Sequence, residues 1–317
     1  MIVRHGPAEA DLPGLLAQVG IERPFVISSA RWRPLDVPNV GWWSVVPSER
    51  VDVPGEADGI LGIGGGSAID TAKHASAEAG LPVVHVPTTY SGSEWTTHYG
   101  IRSRDRLIHG GGAGAQPVGL VYDVELTLDL PIDVTVGTAL NALAHCAEAL
   151  YVQRRSPEGD EQALLGAPLI AAALPNVVAA PRDREQRAVL LTGAMHAGHA
   201  LALAGLALAH AMAQAVGGTY GLPHGAMNAL CLPPALEFNR SLAPEAVERF
   251  GVAIGGDPVE RTRELARLGG FERLRDFGVP QDDLPRLAEI AAGRAGNQAN
   301  PRPASPEEVE RLFAAIW

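Results

Sequence analysis

The sequence predicts two domains, an α/β N-terminal half over residues 1–130 and an all-helical C-terminal half over residues 131–317. Three observations carry that division. Short apolar runs alternate with helix-like segments up to about residue 130, the pattern of a largely parallel sheet with crossover helices. Strand signals then vanish at Leu130-Pro131, and only helical runs follow. A length of 317 residues is enough for two cores and uncomfortable for one.

In chain order, strands are expected at 25–28, 40–46, 59–63, 83–87 and 119–122, with helices at 11–19 and 67–79 between them. Helical runs then cover 136–152, 161–178, 184–214, 225–238, 244–253 and 259–268, with two short ones before Trp317. Gly217-Gly218 and Gly221-Leu222-Pro223 are expected to separate two of these. The stretch 188–216 is rich in Ala, Leu and Gly and resembles a membrane span. It carries His196, His199, His210 and Gln214 and lacks flanking basic clusters, so a buried core helix is expected.

Hydrophobic residues make up 46% and charged residues 19%, an ordinary globular balance. The net charge of -11 argues against nucleic acid and anionic membrane as partners, which call for Lys/Arg-rich surfaces. Cys146 and Cys231 both lie in apolar helix-like runs, so a disulfide framework is not expected and a reducing cytoplasm is. The first residues, Met1-Ile2-Val3-Arg4-His5-Gly6, lack the apolar core of a signal peptide.

Leu61-Gly62-Ile63-Gly64-Gly65-Gly66-Ser67-Ala68-Ile69-Asp70 reads as a buried strand, a glycine turn and a helix capped by Ser67. A helix start after such a turn is an anion site suited to a pyrophosphate. It is not the G-x-G-x-x-G fingerprint, and a plain strand-to-helix turn fits the same residues. The next strand ends in Pro87-Thr88-Thr89-Tyr90-Ser91-Gly92-Ser93, a second polar loop at a carboxyl strand end, where open α/β sheets bind ligands. Two such loops together point to a nucleotide crevice.

Asn141 and His145 stand at i and i+4 on one helix face. His210 lies in the long Ala-rich run, and His224 follows fourteen positions later at the start of the next helix. A lone histidine on an apolar helix is usually a hydrogen-bonded core residue. Three imidazoles and an amide oxygen on helices of one domain are also a donor set for a divalent transition metal such as Fe or Zn.

Gly64-Gly65-Gly66-Ser67-x-x-Asp70, Pro87-Thr88-Thr89-x-Ser91-Gly92-Ser93-Glu94 and the spacing of His145, His210 and Pro223-His224-Gly225 resemble the iron-containing alcohol dehydrogenase superfamily. Asn141-Ala142-Leu143-Ala144-His145 with Glu148-Ala149-Leu150-Tyr151, Tyr122-Asp123-x-Glu125-Leu126-Thr127-Leu128 and Asn300-Pro301-Arg302-Pro303 are similar to its maleylacetate reductases. The resemblance covers nearly the whole chain from Gly59 onward. It implies a Rossmann-like N-terminal domain, an all-α C-terminal domain, and NADH or NADPH chemistry on a small-molecule substrate in the cleft between them. By the same likeness Gly65, Gly66, Ser67 and Asp70 hold the pyrophosphate region, and Thr88, Thr89, Ser91 and Thr97 line the nicotinamide side. It makes His145, His210 and His224 the catalytic residues, Asn141 with those three the metal ligands, and a homodimer the assembly.

Three departures qualify it. Metal-dependent members carry Asp at the position of Asn141, so weak or absent metal is expected here. Many relatives carry a further His at the position of Gln214, and an amide does not relay protons as imidazole does. The segment between Ser29 and Gly59 is short, with one helix reduced to 48–55. In the place of the acid that usually contacts the ribose stand Ser29, Arg31 and Arg33, which leave NADH and NADPH both open.

The leading reading is hydride transfer to an enone or keto acid, with the three histidines stabilising enolate charge. Metal-assisted aldehyde or ketone reduction shares the fold and cofactor. A dehydroquinate-synthase-like lyase ranks below both, since the glycine and hydroxyl motifs hold only one lysine, Lys73. An inactive nucleotide-binding subunit is the non-enzyme reading. Arg102, Arg104, Arg106 and His109 are candidate contacts for a dicarboxylate, in a loop whose residues 110–114 suggest a lid.

Overall fold

The computed structural model describes residues 1–32, 35–102, 107–110 and 115–317, with the backbone alone for 102 and 107–109. Arg33, Arg104, Arg106, residues 111–114 and the side chains of Arg102 and His109 therefore lie outside the described residues. The chain divides into two compact units, Met1–Leu128 and Asp129–Trp317.

The first unit holds strands β1 (Ile2–His5), β2 (Pro24–Ser28), β3 (Gly41–Trp43), β4 (Gly59–Gly64), β5 (Val83–Pro87), β6 (Tyr99–Arg102), β7 (Leu107–Gly110) and β8 (Pro117–Tyr122). β6 and β7 form an antiparallel hairpin, and the others make one parallel sheet in the order β1-β8-β5-β4-β2-β3. Side chains alternate across it, as a pleated strand requires. Val26, Leu61, Ile63, Val84 and Val86 pack with Leu12, Leu15 and Leu16 of α1 (Ala8–Gln18). Phe25, Ile27, Ile60 and Val83 pack with Ala72 and Ala75 of α2 (Gly66–Ala79). Both faces are covered, which is why β4 and β5 read as continuous apolar runs.

Several local expectations need correction. The strand expected at 40–46 pairs only over Gly41–Trp43. The helix expected at 48–55 is absent. Val51 and Val53 instead pack onto the α2 side of the sheet at the two-residue spacing of extended chain. β1 carries no clear strand signal because Arg4 and His5 break its apolar pattern, and the β6–β7 hairpin has no strong alternation.

The second unit is helical: α3 (Ile132–Tyr151), α4 (Pro157–Ala179), α5 (Arg184–Ala204), α6 (Leu208–Tyr220), α7 (His224–Asn239), α8 (Pro244–Ile254), α9 (Pro258–Arg267), α10 (Leu284–Ala292), α11 (Ala295–Ala299) and α12 (Pro306–Ala314). Three short helices, not two, close the chain. α3 is the core element, packed against α4, α5 and α7. α4 is long and apolar enough by composition to cross a membrane, yet it packs along α3 and α5. The expected single helix over 184–214 is two, bent by 100° across Gly205–Ala207. Gly205 sits at φ 87°, which ends α5. Gly217-Gly218, expected to break the chain, lie inside α6, and only Gly221–Pro223 separates it from α7.

Candidate active site

In the first unit Gly64 of β4 pairs opposite Pro87 of β5, so the turns after the two strands start at the same level. Gly64 has φ 146°, and a Cβ on it would stand 2.8 Å from that of Ala68. A Cβ on Gly65 would stand 2.8 Å from Thr89 Cγ2, and one on Gly66 3.7 Å from Ser91 Oγ. At position 65 only glycine lets the start of α2 approach Thr89 this closely, whereas the Gly66 distance is ordinary contact.

α2 begins at Gly66 with Gly65 as its N-cap and no side-chain acceptor there. This corrects the expected Ser67 cap: Ser67 is exposed, one position inside the helix. The first N–H groups of α2 thus need an outside acceptor, and the helix dipole favours an anionic one. Thr89 Oγ1 is buried beside the turn and has no partner among the described residues. The Thr88 N–H donates to the Gly64 carbonyl (3.0 Å), tying the two turns together. Thr97 lies half-buried in the loop after Ser93–Trp95. A bare helix start with an orphaned hydroxyl beside it fits a dinucleotide phosphate.

Asp70 is otherwise engaged. Its carboxylate accepts from Ser93 Oγ and the Gly100 N–H (3.0 Å) and pairs with Lys73 at 2.9 Å. Lys73, fully buried, also donates to the Ser93 carbonyl, Ser93 Oγ, Thr96 Oγ1 and the His98 carbonyl. The pair braces the loop after β5, and a buried ammonium satisfied this fully is tolerated where an unpaired one is not. The Arg31 guanidinium lies over the Trp32 ring, 5.2 Å from its centroid.

In the second unit α3 and α7 touch backbone to backbone: a Cβ on Gly225 would lie 2.5 Å from the Gly137 carbonyl carbon. This close crossing brings His224 and Asn228 of α7 to Asn141 of α3. α6 adds His210. The His145 and His210 rings stack at 4.7 Å, 12° from parallel, and His210 and His224 lie 5.9 Å apart. Asn228 Nδ2 donates to Asn141 Oδ1 (2.7 Å) and to His224 Nε2 (3.0 Å). Asn141 Oδ1 lies 3.3 Å from His210 Nε2, and Asn141 Nδ2 3.5 Å from His145 Nε2. Asn141, His145 and His210 are buried. The three predicted histidines and Asn141 form one cluster.

Burial holds the His145 imidazole well below its usual range, with His210 and His224 adding to the effect. Its Nδ1 is buried with no partner among the described residues. Behind His210 stands Glu148, fully buried, its Oε2 2.7 Å from His210 Nδ1. Glu148 and Asn228 were not read as site residues, although an acid inside an Ala/Leu-rich helix and an amide one turn after His224 were visible signals. Gln214 Oε1 faces the Arg294 guanidinium (3.4 Å) rather than the imidazoles. Cys146 and Cys231 are free, and burial pushes both thiols up.

Imidazoles suit a late divalent ion, but this set does not make a strong cage. It contains no carboxylate, and the Asn228 amide donates onto two of the four atoms a cation would need. Among the described residues no three His, Cys, Asp or Glu side chains converge for a metal. The cluster fits a hydrogen-bonded network.

Comparison with known proteins agrees with this layout. Residues 135–317 match the C-terminal model of the Fe-containing alcohol dehydrogenase family, and residues 53–111 match the iron-containing alcohol dehydrogenase model. The chain is 34% identical to maleylacetate reductase 1 of Cupriavidus pinatubonensis, over 97% of this chain and 92% of that one. The crystal structure of an iron-containing alcohol dehydrogenase from Corynebacterium glutamicum superposes with a TM-score of 0.90 at 31% identity, covering 100% of this chain and 94% of that one. Maleylacetate reductase from Agrobacterium tumefaciens superposes with a TM-score of 0.88 at 28% identity, covering 100% and 96%. With paired strand-end loops in one unit and an imidazole cluster in the other, the chain belongs to the iron-containing alcohol dehydrogenase family and is an oxidoreductase of maleylacetate reductase-like type.

Proposed function

We propose that the chain reduces the carbon–carbon double bond of a conjugated keto acid, maleylacetate or a close analogue, with NADH or NADPH. The observation that carries the reading is the cluster of three imidazoles around the neutral Asn141 amide. Bound NAD(P)H supplies a hydride to the alkene carbon β to the ketone. Electron density then moves to the ketone oxygen, and a proton must reach the α carbon to give the saturated keto acid.

The chain's residues serve those two needs. His145, kept neutral by burial, offers an N–H to the enolate oxygen. His210, held at Nδ1 by Glu148, exchanges a proton at Nε2. Asn228 fixes the Asn141 amide and His224. The N-terminus of α2, with Thr89 beside it, takes the cofactor's phosphates. The reading carries with it a cytoplasmic homodimer acting on a small molecule, with no nucleic-acid or membrane partner.

A substrate panel tests it. NAD(P)H consumption is expected with conjugated keto acids and to be far slower with saturated ketones and simple aldehydes. Preference for aldehydes, lost on metal removal, favours the metal-assisted reading, which the iron-containing family models support. Cofactor binding without turnover on the whole panel indicates an inactive nucleotide-binding subunit.

A further inference from the structure

We infer that Glu148 is a positioning residue for the reduction: by capping the broken start of α6 and holding His210 Nδ1, it fixes the orientation of the His210 ring. The inference rests on the proposed reductase reading, and it names a residue outside the imidazole set.

Glu148 lies on α3, three residues after His145, and is fully buried. Its Oε2 accepts from the Ala207 N–H and from His210 Nδ1, both at 2.7 Å, and its Oε1 accepts from the His210 N–H at 3.2 Å. Ala207 is the N-cap of α6 and offers no side-chain cap of its own. The carboxylate therefore does from α3 what an N-cap Asp does locally, satisfying N–H groups that a helix start leaves open.

The 100° bend is what makes those groups available. In one continuous helix the Ala207 and His210 N–H groups would bond to the carbonyls four residues earlier. Glu148 would then be a buried carboxylate short of donors, which proteins avoid. Bend and carboxylate thus require one another, and both act on the same residue. With backbone and ring of His210 gripped by one side chain, the imidazole cannot swing without breaking a buried bond. The bond to Glu148 requires a proton on Nδ1 and aims Nε2 at Asn141 Oδ1, 3.3 Å away, an acceptor that takes a proton carried on Nε2. Carboxylates that hold the far nitrogen of a working histidine commonly set its tautomer.

The test uses the full-length protein and its Glu148→Gln variant. Glutamine keeps the shape but has one oxygen for three donors. Expected are a fall in kcat of about 10–100-fold, unchanged KM and cofactor dissociation constant, and unaltered circular dichroism. Nitrogen-15 NMR should show His210 Nδ1 carrying a proton in the unsubstituted protein and only partly so in the variant. An unsubstituted protein with no proton on His210 Nδ1 overturns the inference even if the variant does not fold. Unchanged kcat in the variant, or a kcat loss matched by equal loss of cofactor binding and helicity, also overturns it. Should the unsubstituted protein reduce no conjugated keto acid, the reaction assignment falls while the NMR result still decides the placing of His210.

Discussion

The glycine turn of the first unit and the imidazole cluster of the second solve the same problem, holding a polar group ready for a ligand, by opposite means. The turn is made of backbone: Gly64, Gly65 and Gly66 are consecutive, and the missing side chains at 64 and 65 make the close approach that forms the site. The cluster is made of side chains from α3, α6 and α7, up to 87 positions apart, and hydrogen bonds between them create the site. A contiguous backbone device tolerates little substitution at its own positions and depends weakly on remote ones. A dispersed network spreads its dependence over residues that never touch a ligand.

The largest expected effect breaks the network at its centre. His210→Ala should lower kcat by about 10²–10⁴-fold, the usual loss on removing a general acid or base, while cofactor affinity stays as it was. Steady-state kinetics with a parallel cofactor titration measure both. Equal loss of both would erase the distinction between the two regions. The converse substitution is Gly64→Ala, which places a side chain at φ 146° and 2.8 Å from Ala68 Cβ. Strain of roughly 1–3 kcal/mol at such a position should weaken cofactor binding by about tenfold or more. The histidine NMR signals should not move.

Asn141→Asp sharpens the account of the cluster. A carboxylate there adds the charge the donor set lacks, so affinity for ferrous or zinc ion should rise by at least about tenfold, or about 1.4 kcal/mol. Elemental analysis after equilibrium dialysis reads it, and unchanged metal content would mean that Asn228 rather than charge governs the site.

The smallest effect concerns stability. His85 of β5 is fully buried, neither ring nitrogen has a partner among the described residues, and burial followed by the Lys73 charge holds it well below its usual range. The unfolded chain takes up a proton near about pH 6.5 that the folded state refuses. Its contribution is therefore fully present above that pH and is lost as pH falls, by up to about 1.4 kcal/mol per pH unit. His85→Leu should flatten the stability profile below about pH 6.5 by close to one proton. Denaturant unfolding across that range measures it, and an unaltered slope would show that His85 is not the group responsible.

The same contrast explains what could be read from the sequence. Strand, glycine turn and helix over 59–79 were legible because each feature is local and each residue speaks for its own backbone. The partnership of His145, His210 and His224 was legible from residue type and from resemblance. The bend at Gly205–Ala207 was not, because Ala and Leu on both sides favour helix, a lone Gly205 is a weak break, and the carboxylate that caps the new start lies on α3. Asn228 shows in the sequence as an amide one turn after His224, but its partner Asn141 is reached only across the Gly137–Gly225 crossing, which no local pattern encodes. Asp70 was legible as part of a motif, but its pairing with Lys73 and the loop 93–100 became visible only with the fold.

The most direct test of a self-contained imidazole network is turnover with and without metal. One batch is assayed for NAD(P)H-dependent reduction of a conjugated keto acid before and after exhaustive chelation, with metal content measured on each sample. With a metal-free network, kcat is expected to survive chelation unchanged. Activity that disappears with the metal and returns on adding ferrous or zinc ion would contradict it.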